Sequence, residues 1–224
     1  MKLRIVGLIS FMALASCAKE PFQRGPMVAL QNPDPMAIRQ SFGRSMPLRF
    51  TTDDTMIVQA PFHNDIAILD VLRVDREAGS FELVGLNQTG VKLFDLRGDR
   101  RGVAIVFAIT PLMNHQDLLL AVAKDFQHIF LDLIPGNGAK TEIDPNSVRF
   151  TQKTDDGTLT YEFGGDPAIL MEKRLSGFFG SIWDVGYYQY EPTTTGLYPR
   201  GIVMDNSRYH YRIIVKNHDV EIDP

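Results

Sequence analysis

The stretch ILDVLRVDREAGSFELVGLNQTGVKLFDLRGDRRGVAIVFAI, from Ile68 to Ile109, decides the fold of this chain. It contains four runs rich in apolar and β-branched residues, and the turn sequences Glu77–Gly79, Asn87–Gly90 and Gly98–Gly102 separate them. Apolar runs that alternate with turn residues at intervals of about ten are typical of hairpins that follow one another along the chain. The stretch therefore predicts four consecutive antiparallel strands.

The last run, Val103–Ile109, is apolar on both faces, which predicts a strand that is covered on both sides. The next segment supplies a cover, because a helix is predicted from Asn114, as its cap, to Pro135, which stops it. Its apolar residues recur at three- and four-residue spacing and form one stripe: Leu119, Val122, Phe126, Ile129, Phe130 and Leu133. We expect this helix to pack over the sheet.

The pattern extends to both sides of this region. Upstream, a short helix is predicted with Asp34 as cap, Pro35 at its first position and Gly43 at its end. Downstream, strands resume around Val148, and Asp155–Gly157 forms a hairpin turn. Further predicted strands carry the run Ile169–Leu175, the aromatic residues Trp183, Tyr187, Tyr188 and Tyr190, and the final pair Tyr209 and Tyr211.

These elements predict a mainly β domain of the α+β class, with about ten to eleven strands and one long helix. A helix inserted between two series of hairpins argues against a simple sandwich. We expect a strongly curved antiparallel sheet, or half-barrel, with the long helix packed across its concave face.

The N-terminus carries the most specific motif of the chain. The basic residues Lys2 and Arg4 precede an apolar run, Ile5–Leu14, that is too short to span a membrane and is typical of a signal peptide. The sequence Leu-Ala-Ser-Cys that ends at Cys17 resembles the lipobox of bacterial lipoproteins, which implies cleavage before Cys17 and three acyl chains on it. Such chains would hold the protein on a membrane.

This motif gives the expected domain organisation: a signal peptide over residues 1–16, a lipidated cysteine, flexible tether and short helix over 17–45, and one β domain over 46–224. In Gram-negative bacteria an aspartate directly after the lipidated cysteine favours the inner membrane, whereas Ala18 and Lys19 stand here. We therefore expect an outer-membrane lipoprotein that faces the periplasm.

Composition excludes several function classes. Without residues 1–16 the chain has 21 Lys and Arg against 27 Asp and Glu, a net charge of −6, which does not suit nucleic-acid binding. Acylation of Cys17, the only cysteine, leaves neither a disulfide nor a free thiol. The five histidines have no metal-binding spacing, so no metal and no cofactor are expected.

Catalytic patterns are weak. Asp53–Asp54 and Asp155–Asp156 stand beside turns or strand starts, where acids favour local backbone bonding and solvent, and neighbours in a strand point to opposite faces. Ser181, Asp184 and His210 could be written as a triad, but the chain has no G-x-S-x-G elbow. The sequence therefore predicts a protein that is not an enzyme, with an esterase-like hydrolase as the remaining catalytic alternative.

Three segments resemble known envelope proteins. Phe81–Leu96 is similar to the hairpin and L-F-x-L segment of lipoprotein-localisation factors of the LolA/LolB type. Asp117–Pro135 and Ile202–Val215 resemble a related family of outer-membrane lipoproteins of unknown function. The resemblance implies an open half-barrel whose concave apolar face, closed by helices, makes a cavity for acyl chains, without metal, nucleotide or covalent chemistry.

Two main hypotheses for the function follow. The first is a lipoprotein that binds or chaperones an apolar, lipid-like ligand between the sheet and the helix as its lid. Its expected cavity residues are the helix stripe Leu119, Val122, Phe126, Ile129, Phe130 and Leu133, and on the strands Leu83, Leu93, Ile105, Phe107, Trp183 and Tyr188. The second is a non-catalytic assembly subunit of an envelope complex, which would bind a protein partner through an exposed apolar patch.

Overall fold

The computed structural model describes residues 21–25, 28–61, 64–194 and 196–222. The expected signal peptide and Cys17 lie outside these residues. The helices are α1 (Pro35–Ser45), α2 (Thr110–Met113) and α3 (Gln116–Phe130). The strands are β1 (Arg49–Gln59), β2 (Ile66–Asp75), β3 (Ser80–Leu86), β4 (Lys92–Asp99), β5 (Gly102–Ala108), β6 (Lys140–Asp144), β7 (Ser147–Thr154), β8 (Gly157–Gly164), β9 (Ile169–Gly177), β10 (Gly180–Pro192), β11 (Leu197–Asn206) and β12 (Tyr211–Ile222).

All twelve strands form one antiparallel sheet in the order β5-β4-β3-β2-β1-β12-β11-β10-β9-β8-β7-β6. The first five strands form one meander and the last seven form another, and β1 pairs with β12 where the two meanders meet. The connection from β5 to β6 therefore runs from one edge of the sheet to the other, and α2 and α3 lie on it.

The predicted mainly β class and the antiparallel pairing are confirmed, but the predicted strand number is too low. The four hairpin strands of the opening stretch are β2 to β5, and their turns lie where the sequence places them. The overlooked strand is β6, Lys140–Asp144, which has a single large apolar residue and therefore shows no apolar pattern.

The sheet wraps around α3. The helix backbone runs closest to β4 and β5, at one edge. Side chains from β9 and β10 reach the end of the same helix, since Lys173 Nζ donates to the carbonyl of His128 and Tyr187 Oη donates to that of Ile129. One helix can be reached from both halves of the sheet only if the sheet curves around it, as in the expected half-barrel.

The long helix is shorter than the sequence predicts. It has 15 residues and begins at Gln116, which makes it about 22 Å long. Asn114 does not cap it, because Asn114 follows α2 and His115 occupies the cap position. The helix ends at Phe130 rather than before Pro135. Leu131 and Leu133 follow its end and are still buried, although the chain there already turns toward β6.

The prediction that the strand starting at Val103 is covered on both faces is wrong. β5 is the edge of the sheet, and α3 covers only one of its faces. Val106 is 52% exposed and Phe107 is 43% exposed. An apolar run on both faces is typical of a central strand, but it does not show whether a second layer is present.

The short helix α1 begins as predicted, with Asp34 accepting a hydrogen bond from the backbone N–H of Met36 and Pro35 in the first turn. It ends at Ser45, two residues after the predicted Gly43. Within the described part of the chain, no helix is both long enough and apolar enough to cross a membrane.

The described part of the expected tether contacts the β domain. The ring of Phe22 lies 5.8 Å from that of Tyr188, on the outer face of β10. The backbone N–H of Leu30 donates to the carbonyl of Pro145, beyond the end of β6. These contacts distinguish this part of the segment from a free linker.

Candidate functional site: a cleft between the crossing helix and strands β9 to β11

Side chains that alternate along each strand point toward α3 and form the core. On the first meander they include Phe50, Met56, Leu72, Leu83, Phe94 and Leu96, and on the second Phe150, Tyr161, Phe163, Val185, Ile202 and Met204. The apolar stripe of α3 belongs to the same core, in which the ring of Phe130 lies 6.3 Å from that of Phe50 and Phe42 of α1 packs against Phe163. In this conformation these side chains contact one another.

The structure brings most of the expected cavity residues together, but not all. Buried in the core are Leu83, Leu119, Val122, Phe126, Ile129, Phe130, Leu133 and Trp183, and half-buried against it are Leu93 and Ile105. Phe107 lies on the edge strand β5 and is partly exposed. Tyr188 is buried on the outer face of β10, against Phe22, because it is one residue out of phase with the inward Tyr187.

A cleft of about 490 Å³ separates α3 from the adjacent ends of β9, β10 and β11. Its apolar wall is formed by Leu120, Ala121, Leu175, Ile182 and Trp183, together with the ring of Tyr209. Its volume lies within the range of roughly 300–1,000 Å³ that is typical of ligand pockets. Of the expected cavity residues, Trp183 lines this cleft.

Charged side chains stand at the cleft as well. Asp117 and Lys124 project from α3, Asp156 lies in the β7–β8 turn, and Arg208 lies in the β11–β12 turn. Acids and bases of both signs are therefore present beside an apolar wall, an arrangement that suits a molecule with an apolar tail and a polar head.

One buried carboxylate fixes α3 beside this cleft. Asp125 accepts hydrogen bonds from the Nδ2 of Asn206, at 2.9 and 3.0 Å, and from the hydroxyl of Tyr211. Burial raises the pKa of Asp125 by more than these hydrogen bonds lower it, so the pKa lies at about 6. The carboxylate ties the helix to the ends of β11 and β12.

The imidazole of His128 stacks on the indole of Trp183, with ring centroids 4.7 Å apart. Burial, and then the charges of Lys173 and Lys124, lower the pKa of His128 to about 3, so the ring is neutral near pH 7. The Nε1 of Trp183 is buried without an acceptor among the described residues.

The end of α3 is held by Lys173, whose side chain is buried between the rings of Tyr161 and Trp183. Burial lowers the pKa of Lys173 to about 7. Its ammonium donates to the carbonyl of His128 in the last turn, where the helix dipole favours a positive charge. Lys173 therefore has a structural partner in the helix.

A second polar cluster lies on the inner face of β1, β2 and β12. Asp54 accepts from Thr52 and from the Nδ2 of Asn217, and it stands directly opposite Asp70 on β2. The prediction that acids at this position favour solvent is wrong for Asp54, which is buried because it lies in mid-strand and points inward, whereas Asp53 points outward. Within the described region both oxygens of Asp70 lack a hydrogen-bond partner.

The residues written as a triad do not form one. Ser181 donates to Asp184 at 3.3 Å on the same strand. His210 lies in the turn before β12 rather than on that strand, and it lines a separate cleft beside Gln59. Among residues 21–25, 28–61, 64–194 and 196–222, no three potential metal ligands cluster.

Comparison with known proteins rests on structure alone. No protein-family model and no curated protein sequence matches this chain. A LolA superfamily protein from Nitrosomonas europaea superposes with a TM-score of 0.56 over 84% of this chain and 93% of its own, at 7% sequence identity. The chain has a LolA-like fold.

Two further solved structures are similar at lower scores. An outer membrane lipoprotein-sorting protein domain from Vibrio parahaemolyticus gives a TM-score of 0.49 at 9% identity, over 84% of this chain and 92% of its own. A DUF1329 family protein from Desulfovibrio piger gives 0.46 at 7% identity, over 83% and 90%. The resemblance inferred from the hairpin and helix segments is thus confirmed at the level of the LolA-like fold.

Sequence reasoning missed most of the cleft within this LolA-like fold. Leu120 follows Leu119 of the apolar stripe and lies beside it, and Ile182 lies on β10 directly before Trp183. Asp125 lies among polar residues in the helix sequence, and only the pairing of β11 with β12 brings Asn206 and Tyr211 to it. The sequence signal that could have pointed to Asp125 is its position as a polar residue within one helical turn of the apolar stripe.

Proposed function

We propose that this protein is a non-catalytic carrier that binds an apolar, lipid-like molecule in the cleft between α3 and strands β9 to β11. The observation that carries the proposal is the cleft itself, about 490 Å³ in volume and walled by apolar side chains of the helix and the sheet. The LolA-like fold supports the proposal, since one of its members in the comparisons is named for lipoprotein sorting.

The polar groups of the cleft suggest which part of the molecule lies where. The polar head would lie beside Lys124 and Arg208, whose side chains stand at the cleft. The acyl chain would lie along Leu120, Leu175 and Ile182, since affinity for such chains grows with the apolar area removed from water. Acylated peptides and phospholipids share this chemistry.

We further propose that Cys17 carries the lipid anchor and that the protein faces the periplasm from the outer membrane. The support is the Leu-Ala-Ser-Cys motif after an apolar run with a basic start. An envelope address agrees with the lipoprotein-sorting domain named above.

The carrier function is tested by replacing Leu120 with Asn in the full chain. The probe is cis-parinarate, a fluorescent fatty acid that accepts energy from tryptophan, and Trp183 is the only tryptophan of the chain. We expect the dissociation constant to rise about tenfold, because roughly 1.4 kcal/mol of apolar contact is lost. Energy transfer from Trp183 is the measurement.

The matched control is Leu118→Asn, on the same helix but exposed and outside the lining of the cleft. This variant should bind parinarate as tightly as the unchanged chain. Equal affinities for all three proteins, or no energy transfer in any of them, would contradict the carrier function at this cleft.

A further inference from the structure

The first half of the edge strand β5, residues 102–105, carries backbone groups that have no partner in the sheet. β5 pairs with β4 on one side and with no strand on the other. Among the described residues, no backbone hydrogen bond joins this half of β5 to anything but β4. In an antiparallel pair every second residue directs its N–H and C=O away from its neighbour, so this edge is a template for one more strand.

This edge lacks the features that ordinarily keep an edge strand from pairing. Residues 102–105 include no charged residue and no proline, whereas the opposite edge strand β6 carries Lys140, Glu142 and Asp144. Charged side chains and proline on an edge strand oppose its pairing with another chain. The register with β4 shifts at Val106, after this half of the strand. Residues 102–105 therefore form a regular edge that is open to a further strand.

A groove of about 630 Å³ lies along the same half of β5. Its lining includes residues 102–104 of the edge strand and continues over β2, β3 and β4. On the outer face, Arg73, Glu82 and Arg97 stand side by side on β2, β3 and β4. The next position in this row is Ala104, at the edge. An added strand would place its own side chain about 5 Å beyond Ala104, in continuation of a row of charged residues.

The groove carries positive charge that no carboxylate of the described chain contacts. Arg101, directly before the edge, and Arg73, on the far wall, have no acceptor among the described residues. Arg100 donates to the backbone carbonyl of Arg76. The acids of the groove already accept from the chain itself: Asp75 from Arg49, Glu82 from Arg97, and Asp99 from backbone N–H groups of the β4–β5 turn.

We propose that residues 102–105 of β5 bind an extended, acidic segment of a partner protein as an additional strand, with carboxylates of that segment beside Arg100 and Arg101. The backbone of β5 supplies the hydrogen bonds, as when a peptide adds a strand to an exposed sheet edge. The two guanidinium groups select acidic segments, because they form charge-assisted hydrogen bonds with carboxylates. The proposal does not depend on the carrier function.

The charges favour a partner protein over a second copy of this chain. If β5 paired with β5 of another copy in parallel, Arg101 would stand beside Arg101. In the antiparallel arrangement it would stand near Lys92, whose ammonium lies 6.0 Å from the ring of Phe107 on β5. Either arrangement brings like charges together. The acids of the other edge strand, β6, already pair with Arg149.

The test measures binding of a short fluorescein-labelled peptide, in which glutamate alternates with valine, to the full chain by fluorescence anisotropy. One control peptide replaces glutamate with lysine, and a second keeps the glutamates but carries a methyl group on every backbone nitrogen. We expect both control peptides to bind at least about tenfold more weakly, since the first lacks the carboxylates and the second lacks the N–H donors of a strand.

The matching change in the protein is Arg100→Gln/Arg101→Gln. We expect the dissociation constant of the glutamate peptide to rise about tenfold, because two exposed ion pairs are lost. The control is Lys153→Gln/Lys216→Gln, which removes the same charge from exposed positions on β7 and β12 and should leave the affinity unchanged. Equal affinity of the arginine variant and the unchanged chain, or no binding of the glutamate peptide, would overturn the proposal.

Hydrogen exchange separates an added strand from attraction between charges alone. With saturating glutamate peptide, the backbone amides of residues 102–105 should exchange at least about tenfold more slowly, while those of β6 should keep their rates. Unchanged exchange in β5, or equal affinity for the methylated peptide, would overturn the proposal. Slower exchange in β5 that grows with protein concentration, without any peptide, would also overturn it, because it would assign the edge to a second copy of the chain.

Discussion

Asp70 is a buried carboxyl group without the hydrogen bonds, within the described part of the chain, that its ionised form needs. It points inward from β2 and is 2% exposed, and it faces Asp54 across the strand pair while both of its oxygens lack a partner among the described residues. Burial first, and then the charge of Asp54, raise the pKa of Asp70 well above its ordinary value. Burial likewise raises the pKa of Asp54, against the opposing effect of its hydrogen bonds to Thr52 and Asn217.

A raised pKa in the folded protein means that folding favours the protonated carboxyl. The cost of burying the ionised pair is therefore absent below the unfolded pKa near 3.8, grows as the pH rises, and is complete above the folded pKa values. Stability should consequently decrease as the pH rises above about 4.

Replacing Asp70 with Asn removes one ionisable group from the pair. We expect the free energy of unfolding to rise by about 1–2 kcal/mol at pH 8 and to change little at pH 4. Urea unfolding at both pH values measures this. Asp155→Asn, in the exposed β7–β8 turn and not among the charges that act on Asp54 or Asp70, is the control and should leave the pH dependence unchanged; a D70N variant that is less stable at pH 8 would contradict the prediction.

At the scale of elements, α3 is the part that must move if the cleft is to admit a long chain. Its contacts with β4 and β5 are largely apolar, with one hydrogen bond from the Nε2 of Gln127 to the carbonyl of Asp99 at the end of β4. On the other side it is tied by hydrogen bonds from Asn206 and Tyr211 to Asp125, and from Lys173 and Tyr187 to its last turn. The side of α3 that receives these hydrogen bonds is the side that faces the cleft, so the bonds control the width of the cleft.

Tyr211→Phe removes one hydrogen bond to the charged Asp125. Such bonds contribute about 1.5–3 kcal/mol, so the amides of α3 should exchange with deuterium about ten to a hundred times faster at pH 7.5. The measurement is hydrogen exchange followed by mass spectrometry. At pH 5, below the raised pKa of about 6, Asp125 is largely protonated and the effect should be smaller.

The control is Tyr209→Phe, two residues earlier, whose side chain is largely exposed in the β11–β12 turn. It should leave the exchange of α3 unchanged. Equal exchange rates of α3 in the Tyr211→Phe variant and the unchanged chain would show that Asp125 is held without Tyr211.

The hairpins and the start of α1 could be predicted because their signals are local: turn residues, alternation, and an Asp-Pro helix start. The end of α3 could not, since Leu131 and Leu133 continue the apolar spacing after the helix has ended. The exposure of β5 could not either, because its apolar run does not say whether a second layer covers it. The cleft depends on contacts between β11, β12 and α3, which no local pattern records.

At the scale of the whole molecule, the proposed lipid on Cys17 determines to which membrane the protein is attached. Replacing Cys17 with Ser should abolish incorporation of labelled palmitate and prevent the protein from reaching the outer-membrane fraction, because the acceptor thiol is absent. Metabolic labelling and membrane fractionation measure both effects. Leu14→Ile, a conservative change in the same motif, is the control; a labelled Cys17→Ser protein would place the lipid elsewhere.

The docking of Phe22 on Tyr188 limits how far the molecule can stand from its membrane. Cys17 precedes Phe22 by five residues, so the two Cα atoms are at most about 18 Å apart. Along β10, Tyr188 lies eight residues from Gly180 at the exposed turn, a length of about 26 Å. The tether and the contact between the two rings together span roughly 30 Å, more than this length of strand, so with the proposed lipid on Cys17 the end of β10 at Gly180 reaches the membrane surface even when the strand stands upright.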